Sequence, residues 1–402
     1  MKSFKVFALI LYAASVVLPV CLARGAETGS VAEAATGFDD STNGLVDQAT
    51  YDSDKASFSA RNEIRQGLGP GFNATSCVEC HQNPQAGGSS QVTVLRAGRV
   101  DRNGSFIEPP GGTLIRDRSI HPAIQERVPD GFEIRAFRLS LSLLGTGYVE
   151  AIDDAALIAI ANGQPEAMRG EVVYVPVLES PGTMRVGRFG WKNQHASLLS
   201  FSAEAYLNEM GITNRLLPAE RTSMGRSVAA YDTVADPEDS DNDIDAFARF
   251  MRSTKAPPQD EAAAAATEAR TGSQLFDKIG CGVCHVRSID TAPAGTPING
   301  GAFVVPPALG SKTIHPFSDF LLHDVGTGDG IYQAGNLSTR NKMRTPPLWG
   351  LRTRSRFMHD GATLSVGEAI LRHGGEAAAA SEKYRAMSLK KRDGLIAFLD
   401  SL

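Results

Sequence analysis

Cys77-Val78-Glu79-Cys80-His81 and Cys281-Gly282-Val283-Cys284-His285 decide how the rest of the chain is read. Both have the spacing C-x-x-C-H, the attachment signature of a c-type haem. Two cysteine sulfurs add to the two vinyl groups of one porphyrin, and the adjacent histidine reaches its iron from the proximal side. A bare C-x-x-C also serves redox dithiols and zinc half-sites. The trailing histidine, present twice, selects haem. The expected cofactor-binding residues are Cys77, Cys80, His81, Cys281, Cys284 and His285, with His81 and His285 as metal ligands, and the expected cofactors are two covalently bound c-type haems.

The start of the chain agrees with that chemistry. Lys2 and Lys5 precede an apolar run from Val6 to Val20, and Cys21-Leu22-Ala23 offers a small residue before a cut. This is the layout of a secretory signal peptide over 1–23, and the run is too short for a comfortable membrane span. Cleavage after Ala23 leaves four cysteines, all in the two motifs. Lipidation at Cys21 is the alternative, disfavoured by Val20 in front of it. Export fits haem attachment outside the cytoplasm, so a periplasmic location is expected.

Roughly 380 residues then remain, enough for two or three domains. An apolar fraction of 42% and a charged fraction of 21% are ordinary for a globular protein. A net charge of −5 gives no reason to expect a nucleic-acid partner.

Outward from the motifs, residues 24–60 are rich in Ala, Gly, Ser, Thr and Asp and read as an extended arm. Gly67-Leu68-Gly69-Pro70-Gly71 breaks the chain before the first motif, and 82–90 reads as a loop. Gln91–Arg96, Phe132–Leu139 and Val172–Val177 read as short strands. Tyr148–Ala161, Ala196–Met210 and Asp239–Met251 read as helices, the second stopped by Gly211. Pro257-Pro258 and the Ala-rich stretch after it mark a boundary. Gly272–Gly280 is a short amphipathic helix running into the second motif, and 393–402 closes the chain as a helix resembling Ile244–Met251. Each half thus opens near a C-x-x-C-H and ends on a Phe-containing helix, a weak repeat of a cytochrome c unit. The expected fold class is mainly α: two cytochrome c-like haem domains with small β insertions, over 61–258 and 259–402, after an N-terminal arm.

Several stretches resemble the dihaem cytochrome c peroxidase and MauG superfamily. They are Gly272-x-x-x-Phe276-x-x-x-Gly280 leading into the second motif, Arg344-Thr345-Pro346-Pro347-Leu348-Trp349-Gly350-Leu351, and Phe357-Met358-His359-Asp360-Gly361. Arg188-Phe189-Gly190-Trp191-Lys192, Glu209-Met210-Gly211-Ile212-Thr213, His315-Pro316-Phe317-Ser318-Asp319, Leu322-His323-Asp324-Val325-Gly326 and Arg372-His373-Gly374-Gly375-Glu376 are most similar to its dihaem oxidoreductase, thiol oxidoreductase-like branch.

The resemblance implies a periplasmic, peroxidase-like oxidoreductase. Electrons from a small donor cytochrome or cupredoxin enter at the C-terminal haem, and hydrogen peroxide or a similar small oxidant is reduced at the N-terminal one. It implies Glu209 as the distal proton carrier and Trp191 between the haems as the catalytic residues, with Glu204 as the competing carboxylate. It implies Met358 as sixth metal ligand of the C-terminal haem, where a thioether raises the potential. Core packing is the other reading of Met358, and His315, His323, His359 and Met343 are the other candidates. At the N-terminal haem, His121 or His195 could occupy a displaceable sixth position. Calcium between the haem domains is a lesser expectation. The run Asp239-x-Asp241-x-Asp243-x-Asp245 alternates like calcium ligands but lacks the glycine and terminal glutamate of an EF-hand, and a helix-start cluster explains it equally. The alternative function is a non-catalytic dihaem electron carrier with both irons six-coordinate.

Overall fold

Helix Thr267–Ile279 crosses helix Leu389–Leu399 at a pair of glycines. A Cβ on Gly272 would stand 1.9 Å from the Gly394 carbonyl oxygen, so the two backbones touch where no larger residue fits. Around that crossing Ala269, Phe276, Ile279, Leu395, Phe398 and Leu399 are buried, at the three- and four-residue spacing of a helix face. The Phe276 and Phe398 rings meet edge to face at 5.5 Å. Gly280, at φ +104, ends the first helix and turns the chain straight into Cys281.

The computed structural model of the protein describes Met1 and residues 31–402; the leader expected over 1–23, Cys21 included, lies, Met1 apart, outside the described residues. Among the described residues no helix is long and apolar enough to cross a membrane.

The first half has a comparable helix pair, formed differently from what its sequence suggests. Residues 24–60 are not an extended arm throughout: Gln48–Ser59 is a helix capped by the Asp47 side chain. Its Tyr51 and Phe58 pack on helix Asp243–Ser253, with ring centroids 5.4 and 4.9 Å from Phe250. Those two aromatics, seven residues apart, are the whole apolar face, and most of the other positions are polar. Burial against the partner helix, not local propensity, therefore makes this segment helical. Farther upstream, Ala32–Glu33 pairs in parallel with Lys312–Ile314, which pairs in turn with Ile289–Asp290.

The β content is small, as expected. Thr93–Val100 runs antiparallel to Ile134–Leu139, from Thr93 opposite Leu139 to Gly98 opposite Ile134. Phe106–Ile107 and Leu114–Ile115 pair with it as well. The stretch read as one helix over 148–161 is two: Thr146–Glu150 ends on Ala151, and Asp153 caps the start of Asp154–Gly163.

Two hydrophobic clusters organise the core. One surrounds the Thr267–Ile279 and Leu389–Leu399 crossing. The larger is built from helices of the first half, and the loops that follow the second motif add Ile289, Ile298, Leu309, Ile314 and Phe320 to it. The aspartate run is used by the fold itself. Asp239 accepts from the backbone of Asp243 and Ile244, Asp243 accepts from the Tyr206 hydroxyl, and Asp245 pairs with Arg215.

Candidate active site

The first motif opens on a cavity of about 230 Å³. Cys77, Cys80 and His81 form one part of its wall, and Trp191, His195, Glu204 and Glu209 form another. The chain delivers His81 through a tight loop. Asn83 and Ser89 bridge across it, and a Cβ on Gly88 would sit 2.1 Å from Asn83 O, so only glycine closes the turn. The closed loop presents Gly88 O to His81 Nδ1 at 3.3 Å. A carbonyl can only accept, so Nδ1 carries the proton and the Nε2 lone pair is free. Burial holds the ring pKa down at about 4, which keeps it neutral.

The second motif repeats this arrangement in a cavity of about 670 Å³. His285 Nδ1 donates to Phe317 O at 2.9 Å, and burial again lowers its pKa to about 4. A neutral imidazole, tethered through Nδ1 and free at Nε2, is the state that binds iron. The four cysteines are free and half-buried. Burial pushes the Cys77 and Cys80 thiols up to about 12 and 11, far from the thiolate of a redox dithiol. The donor sets at both motifs fit haem.

Glu209 and Glu204 owe their common orientation to a local departure from the α-helix. Five residues along an α-helix is about 140° round its axis. Here helix Leu198–Ala205 passes into a π-helical turn over Tyr206–Met210, ended by Gly211 at φ +74. The wider turn brings a residue five positions on back to nearly the same face, and both carboxylates line the cavity. Asn73, in the lead-in to the first motif, holds Glu209 twice. Its side chain donates to Glu209 Oε2 at 2.7 Å, and its backbone N–H donates to Glu209 O at 2.7 Å. Burial raises the pKa of Glu209 against the opposing effect of Asn73 and Arg96. Glu204 behaves oppositely. Burial works to raise it, but the His195 ring, whose Nε2 lies against Glu204 Oε2, outweighs burial and holds it at about 2.

Trp191 lines both cavities. Its Nε1 donates to Leu139 O at 2.7 Å, and its ring stands edge-on to His359 at 6.1 Å. Its neighbours Arg188 and Lys192 are fully buried and serve the fold. Arg188 donates to Val186 O and Ile152 O, and Lys192 to Thr339 O and Lys342 O.

The remaining histidines separate cleanly. His121 is exposed and caps a short turn at Pro122, and His315 is exposed between Glu33 and Ser288. Neither lines a haem cavity. His323 is buried beside Cys284 with Asp319 and Glu376 on its two ring nitrogens at 2.8 and 2.6 Å. Burial works against its charge, but the carboxylates outweigh burial and push its pKa up to about 12, so it is an imidazolium with no free lone pair. Met358, at φ +64, Met343 and His359 line the second cavity. So does His373, which the sequence reading passed over. Its Nδ1 donates to Ala369 O at 2.7 Å, Nε2 carries no hydrogen bond among the described residues, and its ring centroid is 6.5 Å from that of His285. Its tether is that of the two proximal histidines, a signal invisible until the helix Val366–Leu371 is placed.

The family described as "Di-haem oxidoreductase, putative peroxidase" matches residues 125–402. The chain belongs to this family. The match takes in the second motif, and the first lies upstream of it. Membership makes the chain a dihaem, peroxidase-like oxidoreductase with haem as its cofactor. No curated protein matches the chain. Three solved structures are similar at low identity. Hydrazine synthase of Kuenenia stuttgartiensis is 13% identical, with 100% of each chain covered and a TM-score of 0.43. A MauG-like protein associated with microbial copper homeostasis is 15% identical, with 97% of this chain and 95% of that one covered, at 0.41. The diheme peroxidase BthA from Burkholderia thailandensis is 14% identical, with 93% and 94% covered, at 0.41.

Proposed function

We propose that this dihaem oxidoreductase is a periplasmic peroxidase that reduces hydrogen peroxide at its N-terminal site with electrons from a small donor cytochrome or cupredoxin. Cys77 and Cys80 would hold one haem covalently with His81 as a ligand to its iron, and Cys281, Cys284 and His285 would hold the other, in domains that would divide near residue 258. The two groups supply one-electron chemistry, the C-terminal one as a store and the N-terminal one as the place where the oxidant is met.

The chain's own residues do the rest. The observation that carries the reading is Glu209, a carboxyl of raised pKa on the wall shared with Cys77, Cys80 and His81. Peroxide reduction needs a group that takes a proton from one oxygen and returns it to the other, and a carboxyl tuned toward neutral pH does this. Asn73 orients that carboxyl. Trp191, held by Leu139 O and touching both cavities, fills the partition between them and excludes water from it. On the C-terminal side the His285 and His373 rings stand 6.5 Å apart, each tethered through Nδ1, so the pair would hold a metal between them. We therefore assign His373 as the sixth ligand there, ahead of Met358.

Electron paramagnetic resonance and visible spectra of the holoprotein, oxidised and then half-reduced, with and without hydrogen peroxide, test the reading. A high-spin signal in either state that peroxide abolishes is expected. Two low-spin signals in both states, untouched by peroxide, would leave an electron carrier.

A further inference from the structure

Behind the N-terminal cavity lies a second, polar cavity of about 210 Å³. Arg96, Arg138, Gln194, Glu204 and Asn208 line both, so a single layer of side chains separates them. Glu204 is the acid in that layer. Its Oε2 meets His195 Nε2, and its Oε1 is 3.9 Å from Arg221 Nη2 on the polar side. His195 is 8% exposed and is fixed from both strands of a bridge, its N–H to Phe189 O and its carbonyl accepting from Arg188 and Phe189. With Nε2 bound to Glu204, its Nδ1 is the ring nitrogen that has no hydrogen bond among the described residues. Arg96 Nη1 donates to Thr113 Oγ1 at 2.9 Å, while its buried Nε has no partner among the described residues.

Reduction of peroxide consumes protons as well as electrons: H2O2 + 2 H+ + 2 e− gives 2 H2O, the electrons coming from the donor protein. Glu209 can move one proton between the two oxygens, but two of the four hydrogens in the product waters must come finally from solvent. Asn73 holds Glu209 on the wall of the N-terminal cavity, and Glu209 does not reach the polar cavity behind it, so protons from that side need another carrier. We infer that the His195–Glu204 pair is that path, a proton relay that connects the N-terminal site to the arginine-lined polar cavity. This inference rests on the peroxidase reading. In each turnover a proton passes from the polar cavity to Glu204, across its contact to His195, and from His195 to the site, with the second proton following by the same route. The charged groups that face the pair are Arg96 and Arg138 from the two strands, Arg221 from the loop, Glu209 from the same helix, and Glu108 and Arg116 across the polar cavity. His195 first, and then Arg96 and Arg221, keep Glu204 ionised between transfers, so it accepts again.

The experiment is stopped-flow mixing of half-reduced holoprotein with hydrogen peroxide, followed by a pH-indicator dye and by the haem spectrum, for wild type, Glu204→Gln and His195→Gln. The expected result has three parts. Spectra before mixing are unchanged. Proton uptake and turnover are slower by roughly 10- to 100-fold in both variants, with a larger solvent deuterium isotope effect and a rate that falls as pH rises. Added imidazole or acetate restores much of the rate, which a merely structural loss would not permit. Wild-type rates in both variants would overturn the relay and leave the peroxidase reading standing. A wild type that takes up no protons and shows no spectral response to peroxide would overturn both.

Discussion

The rings of His285 and His373 stand 6.5 Å apart, centroid to centroid and inclined at 56°, each tied through Nδ1 to a backbone carbonyl. With a histidine on either side, a haem held there would have a lower potential than a thioether ligand would give it. His373→Met should raise the potential of that haem and introduce the absorption of sulfur ligation. Met358→Leu should leave both unchanged. A redox titration of the two variants decides between the ligands, and the reverse pattern would assign Met358.

Glu209 is half-buried and held by Asn73. Glu209→Gln keeps the shape and the contact to Asn73 but cannot carry a proton. Turnover with peroxide should fall by about 10²–10⁴-fold, while the resting spectra stay those of the wild type. Asn73→Ala should cost less, because it frees the carboxyl without removing it. Steady-state rates at saturating peroxide provide the comparison.

Glu150 is fully buried and accepts from Arg252 at 2.6 and 2.9 Å, from Asn299 at 3.0 Å and from the Leu198 backbone. Arg252→Met removes the partner and strands a carboxylate in the core. Denaturant unfolding should show a loss of about 3–5 kcal/mol. The double variant Arg252→Met with Glu150→Gln should recover part of it.

Glu220 and Glu238 sit together with Asp232 and Asp236. Burial first, and then these neighbouring acids, push Glu220 up to about 8 and Glu238 up to about 7. A carboxyl with a raised folded-state pKa binds its proton more tightly folded than unfolded. The stability it contributes is whole below the ordinary glutamate range and is lost as pH rises through 7 and 8. Melting temperature should therefore decline across that window, and Glu220→Gln should flatten the decline. An unchanged slope in the variant would remove the cluster as its cause.

Much of the fold was legible because covalent chemistry and helix periodicity are local. The two C-x-x-C-H stretches, the Gly280 stop and the faces of the Thr267–Ile279 and Asp243–Ser253 helices can all be read from neighbouring residues. The helix Gln48–Ser59 was not legible, since Tyr51 and Phe58 become a face only when Phe250 stands opposite. The π turn at Tyr206–Met210 leaves no compositional trace, yet it decides that Glu204 and Glu209 share a wall. Spacing does not sort the histidines either. His323 is neutralised as a ligand by Glu376, fifty-three residues away, and His373 is qualified as one by a carbonyl on its own helix.

Trp191, Leu139, Ser140, Leu141 and Arg344 each face both cavities, and Asn83, from the loop that holds His81, donates to Thr353 O on the wall of the second. The two sites are rooms with a party wall. Alterations to that wall are felt by both tenants, so a substitution at Trp191 will disturb two spectra together and can be credited to neither haem alone.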